Sequence, residues 1–109
     1  MNFKDISVKY FSTFSNKNID GLREMFDSTV RLRDWNISAV GIEEVIDANQ
    51  KIFDSVQTIN VDAVSIYQDG NTVIAELVIQ VNEVTTVLVT DIIEFNDDGK
   101  ITNIRAYQG

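Results

Sequence analysis

Three side chains sit where apolar residues are expected. In Val30-Arg31-Leu32-Arg33-Asp34-Trp35 the apolar residues alternate with arginines, the period of a strand. Val30, Leu32 and Asp34 then share one face, and Arg31 and Arg33 the other. Further on, Val87, Val89, Asp91, Ile93 and Phe95 share a face, with Asp91 in the middle of the row. An unpaired carboxylate on an apolar face is costly to desolvate. Each must be hydrogen-bonded, paired, protonated or open to a pocket. The plain alternatives are that Arg105 pairs with Asp91 and that Asp34 ends its strand facing water. Two such acids in one small domain point instead to a polar pocket. Tyr10 adds to this, because its phenol lies on the apolar stripe of a helix and a buried Tyr hydroxyl usually finds a partner. Its plain alternative is a core tyrosine whose hydroxyl reaches the surface.

The missing residue types narrow the chemistry. The chain has no histidine and no cysteine. This excludes a Ser-His triad, a thiolate nucleophile, a disulfide and a His- or Cys-ligated metal. Any proton transfer falls to Asp, Glu, Tyr or Lys. The five glycines are scattered, so there is no phosphate-cradling loop. A net charge of −8 argues against nucleic acid and against an anionic membrane. No apolar run approaches the roughly 18 residues that cross a bilayer. The start, Met1-Asn2-Phe3-Lys4-Asp5, lacks the apolar stretch of a signal peptide, so a cytoplasmic location is expected. The sequon Asn36-Ile37-Ser38 is then read as chance.

The elements that must position these groups follow from hydrophobic period. The length of 109 residues suits one domain, 1–109, with an ordinary 44% apolar and 24% charged composition. Phe3, Ile6, Tyr10 and Phe14 recur at helical spacing and predict a first helix from Phe3 to about Asn16. Asn18 caps a second, short helix through Ile19, Leu22, Met25 and Phe26. After the strand at Val30–Trp35, a third helix follows Gly41, with Val45, Ile46, Asn49, Ile52 and Phe53 on or near one side. Strands are predicted near Thr58–Tyr67, Thr72–Val81, Thr86–Phe95 and Ile101–Tyr107. Asp69-Gly70-Asn71, Asn82-Glu83 and Asp97-Asp98-Gly99-Lys100 mark the turns between them. Short connections imply an antiparallel meander, and helices pack against one face of such a sheet. The fold class is α+β.

These residues resemble the NTF2-like superfamily, and within it the ketosteroid isomerase and SnoaL-like branch. The resemblance runs through Tyr10-Phe11, Asn18-Ile19-Asp20-Gly21-Leu22, Met25-Phe26, Val30 to Trp35 and Gly41 to Ile46. It continues in Asp91-Ile92-Ile93-Glu94-Phe95, Asp98-Gly99-Lys100-Ile101 and Arg105-Ala106-Tyr107. It implies a cystatin-like cone, with three N-terminal helices on a curved, mainly antiparallel sheet around a pocket. It also implies roles. Asp34 matches the general base of the isomerases, Tyr10 a donor of their oxyanion hole, and Asp91 the protonated second donor. Trp35, Phe14, Phe53 and Val89 are expected to line the pocket.

The function so implied is a small-molecule pocket protein, an isomerase that moves a proton next to a carbonyl or a SnoaL-like cyclase using the same base. It needs no cofactor and no metal. The ligand would be a small apolar or carbonyl-containing compound. The alternative is a non-catalytic ligand-binding or association domain of the same fold. A third, epoxide hydrolysis, requires an Asp-Arg-Asp relay, whereas Arg31 and Arg33 fall on the opposite face to Asp34. Leu88, Thr90 and Ile92 put apolar surface on the sheet's outer face, so a homodimer through the sheet is expected.

Overall fold

A computed structural model describes residues 1–109. Helix α1 spans Phe3–Ser15 and buries the face carrying Phe3, Ser7, Tyr10 and Phe11. Asn2 caps it, its Oδ1 accepting from the Asp5 N–H at 3.1 Å. Helix α2, Ile19–Met25, is capped in the same way by Asn18, which accepts from the Gly21 N–H at 3.0 Å. At Gly21 the two helices meet: a Cβ there would lie 2.7 Å from the Asn18 side-chain nitrogen and 2.9 Å from the Thr13 methyl, so a larger residue would make these side chains shift.

Phe26 corrects the helical expectation. Its backbone is extended, with φ −91 and ψ 139, and it opens strand β1, Phe26–Arg33. The ring is buried there against Tyr10, with centroids 6.2 Å apart. Helix and strand both bury this ring, and pairing with Ile101 selects the strand. A short strand β2, Ser38–Val40, was not foreseen. Helix α3 spans Ile42–Ser55, and strands β3 Ile59–Asp69, β4 Thr72–Val81, β5 Thr85–Phe95 and β6 Ile101–Gln108 follow.

The six strands form one sheet in the order β2-β1-β6-β5-β4-β3. Strands β3 to β6 are an antiparallel meander. At the other end the meander reading is corrected, because β1 runs parallel to β6. A parallel pair needs a long crossover, which the chain between β1 and β6 supplies. The β4–β5 turn is built by Asn82 and Glu83, both left-handed at φ 53 and 62. Asn82 Oδ1 also accepts from the Gln57 and Thr58 N–H groups at 2.7 and 3.1 Å, tying this hairpin to the entry of β3. A register shift between Ala63 and Ser65 pushes Val64 outward and bends β3. The core between the helices and the sheet includes Leu22, Val30, Val45, Val73, Ile93, Phe95 and Ile104. No helix is long and apolar enough to cross a membrane.

One contact outside the pocket has a measurable role. Lys17, itself left-handed at φ 54, donates Nζ to the carbonyls of Phe53 and Val56 at 2.9 and 2.6 Å. These carbonyls end α3 and have no further helical partner. Lys17→Met keeps the aliphatic stem and removes both bonds. Urea denaturation is expected to show a loss of about 2 kcal/mol with an unchanged m-value.

Candidate active site

The strand alternation carries Asp34 inward. Val30 and Leu32 are buried while Arg31 and Arg33 are exposed, and Asp34 is the next residue on the buried side. Here the chain leaves β1 and returns as β2, with Arg33 opposite Ser38. Asp34 itself makes that reversal. Its Oδ1 accepts from the Asn36 and Ile37 N–H groups at 2.7 and 2.6 Å, and its own N–H donates to the Ile37 carbonyl at 2.9 Å. This is an Asx turn. The second carboxylate oxygen, Oδ2, has no such bond. Trp35, next in the turn, is 47% exposed and lies at the rim of the cavity rather than across it.

Asp91 is held in the middle of the sheet. Its cross-strand neighbours are Ala75 on β4 and Ala106 on β6. Two alanines leave open space around a longer side chain. The residue is 7% exposed, and its carboxyl makes no hydrogen bond within the chain. Arg105, the partner considered from the sequence, projects to the opposite face of β6 and pairs with Glu94 at 2.8 Å. Burial first, and the charge of Asp34 second, raise the pKa of Asp91 from 3.8 to about 7. Near neutral pH a large share of Asp91 therefore carries a proton it can donate.

Tyr10 comes from α1. Its ring sits among Phe11, Phe14 and Phe26, at centroid distances of 5.6, 6.3 and 6.2 Å. Burial and the carboxyl of Asp91 push its pKa well above the ordinary phenol value. Its hydroxyl therefore keeps its proton at neutral pH.

Tyr10, Asp34 and Asp91 line one cavity of about 250 Å³, and sixteen of its twenty lining residues are hydrophobic. Phe14, Trp35 and Val89 line it as well. Phe53 does not. It lies behind Phe14, edge to face at 4.9 Å, and supports that ring from the core. A carboxylate, a phenol and a protonated carboxyl facing one apolar space can remove a proton and stabilise an oxyanion. No arginine lines the space.

Asn49 of α3 also lines the cavity, and was not singled out from the sequence. A signal was present, because this amide stands at helical spacing among Val45, Ile46, Ile52 and Phe53. A polar residue on an apolar helix face is the helical equivalent of Asp91 on its strand.

Comparison with known proteins places this architecture. The family described as SnoaL-like domain matches residues 8–104. An NTF2-like protein of unknown function from Cytophaga hutchinsonii superposes with a TM-score of 0.83 at 14% identity, covering 100% of this chain and 91% of that one. A candidate ketosteroid isomerase from Kribbella flavida superposes with a TM-score of 0.86 at 13% identity, covering 98% and 77%. An epoxide hydrolase from M. tuberculosis gives a TM-score of 0.78 at 17% identity, covering 92% and 77%. At these identities the likeness is one of fold. No curated protein matches the sequence.

Proposed function

The chain belongs to the SnoaL-like domain family, whose fold is NTF2-like, and on that footing we propose that it is an isomerase of the ketosteroid-isomerase type acting on a small carbonyl compound. Asp34 Oδ2 removes a proton from the carbon next to the carbonyl. The C–H electrons form a double bond to the carbonyl carbon, conjugated with the substrate's existing β,γ double bond, and the carbonyl becomes a dienolate oxygen. Tyr10 and neutral Asp91 donate hydrogen bonds to that oxygen. Protonated Asp34 then returns its proton to the γ carbon and the carbonyl re-forms. Composition is unchanged, and the reaction consumes no cofactor.

The observation that carries this reading is Asp91. A buried carboxyl with no partner in the chain calls for an explanation, and this one shares its cavity with a phenol and a second carboxylate. Epoxide hydrolysis through a carboxylate–arginine–carboxylate relay is disfavoured by the arginine-free lining. A non-catalytic binding role has one observation in its favour: Asp34 Oδ1 is engaged in the Asx turn, so this residue has structural work of its own.

The test is a bicyclic β,γ-unsaturated ketone. Turnover appears as growth of the conjugated enone absorbance, and α-proton exchange into D₂O is followed by NMR. Binding of the ketone with neither conjugation nor exchange would establish the non-catalytic reading.

We also propose a two-fold dimer through the outer face of the sheet. Ile74 pairs with Ile92, Val78 with Leu88 and Tyr107 with Thr90 on that face, with Glu76 opposite Thr90 among them. Leu88 is 55% exposed there, and exposed apolar patches mark association surfaces. Sedimentation velocity at micromolar concentration is expected to give a dimer, and Leu88→Lys a monomer. A monomeric wild type removes the proposal.

A further inference from the structure

The outer face of the sheet is sorted by charge. Among its paired positions every cation, Arg31, Arg33 and Arg105, stands on β1 or β6. Every acid, Glu94, Glu76, Asp62 and Asp69, stands on β5, β4 or β3. The chain has four arginines and a net charge of −8, so three of them on one half of one face is a concentration. Arg33 lies directly opposite Arg105, and like charges so placed destabilise a sheet. Arg105 is paired with Glu94, but Arg31 and Arg33 have no acid within the chain, and Arg33 has only the neutral Tyr107 hydroxyl at 2.9 Å. Such an arrangement calls for acids from outside. The face itself carries them in register. One row across the sheet runs from Arg31 through Asn103, Glu94 and Thr72 to Asp69, and the next from Arg33 to Tyr67.

We propose that a second copy of the chain docks on this face about a two-fold axis parallel to the strands, along β5, so that the arginine half of each copy covers the acidic half of the other. This rests on the sheet-to-sheet dimer proposed above and assigns its orientation and its ion pairs. Two copies that stack the same face share an axis lying between the sheets. Running along β5, that axis turns each row end for end. Arg31 then meets the partner's Asp69, and Arg33 meets the partner's Tyr67. Tyr67 is 62% exposed, and its ring offers a cation its face. Leu88 and Ile92, both on β5, meet their own copies. Glu94 does too, and Arg105 at 2.8 Å neutralises it in each chain. The roughly 30° between stacked twisted sheets is too little to exchange the halves. An axis across the strands would instead set each strand on its own copy, arginines against arginines. A foreign acidic partner satisfies the arginines but is repelled by the four acids beside them, whereas a second copy satisfies both.

Salt and a charge exchange test this. Wild-type dimer affinity, read by sedimentation at several concentrations, should fall roughly tenfold between about 50 and 500 mM NaCl, because screening weakens the cross pairs. Opposed arginines, or the repulsion of two −8 chains alone, would make salt tighten the dimer. Arg31→Glu and Asp69→Arg should each weaken self-association at low salt by roughly tenfold, since each turns two attractions into two repulsions. Lys9→Glu, the same charge change on exposed α1 surface, should weaken it far less. Mixed one to one, Arg31→Glu and Asp69→Arg should recover wild-type affinity, with heterodimer well above the statistical half in native mass spectrometry. The two substitutions exchange signs across one pair and leave the other native. A wild-type dimer that salt tightens or leaves alone, single variants that associate as well as wild type, or a mixture that fails to recover overturns the proposal. So does an excess of heterodimer between Arg31→Glu and wild type, the mark of an axis across the strands. In each of these cases a dimer that Leu88→Lys still breaks leaves the sheet interface standing. A wild type that is monomeric at low salt overturns both. The wild-type salt response decides even where a variant fails to fold.

Discussion

Replacing Asp34 by asparagine is expected to slow enone conjugation by roughly 10⁴-fold, the upper end for loss of a general base. The turn should survive, because the asparagine Oδ1 still accepts from the Asn36 and Ile37 N–H groups. Only basicity is lost. Asp34→Ala loses both, so its thermal midpoint should fall while that of Asp34→Asn holds. This contrast separates the residue's two roles. Tyr10→Phe removes one donor of the oxyanion site and should slow the reaction by roughly 10²-fold, less than loss of the base. Asp91 remains to hold the oxygen. Retention of activity within tenfold in Asp34→Asn would sink Asp34 as the base. Retention of α-proton exchange without conjugation would instead leave it as the base and place the defect in proton return.

The second large effect is on stability. The folded-state pKa of Asp91 is raised, to about 7 from 3.8. Between these values the folded protein holds the proton more tightly than the unfolded chain. The unfolding free energy therefore falls as pH rises from about 4 to 7, and it levels off above. The full shift corresponds to a loss on the order of 4 kcal/mol. Asp91→Asn carries no titrating proton, so its urea midpoint should be nearly flat over the same window and should exceed that of the wild type at pH 8. A wild-type midpoint that rises from pH 4 to 7, in step with the Asn variant, would show that Asp91 ionises normally. The same titration bears on catalysis. Neutral Asp91 is the donor, so the wild-type rate should decline as pH rises through about 7, and Asp91→Asn should lose that limb. Asp34→Asn should bring the Asp91 pKa down only slightly, because burial is the larger cause and the Asp34 charge the smaller.

Local pattern determined much of this architecture. Period 3.6 in residues 3–16 and 42–53 and period 2 from residue 58 onward specify helices and strands, because each element must turn one face from water. The Gly and Asn turns follow from the left-handed backbone that such hairpins require. Alternation also gives the phase of Asp34 and Asp91, since neighbouring residues in a strand cannot share a face. What period cannot state is which groups lie across that face. The three residues of β2 are too few to show a period, yet their pairing with β1 closes the turn that Asp34 builds. Phe26 is apolar in either backbone, and only its partner Ile101 decides for the strand. Arg105 lies close to Asp91 along paired strands but is committed to Glu94 on the other face. Phe53 and Phe14 are both inward aromatics, and packing order alone puts Phe14 on the cavity and Phe53 behind it. The two alanines beside Asp91 come from the strands before and after it in the meander, and cross-strand register brings them there. Burial is a property each segment can encode for itself. The space left around a buried carboxyl depends on residues from several segments at once, so the cavity exists only after they have assembled.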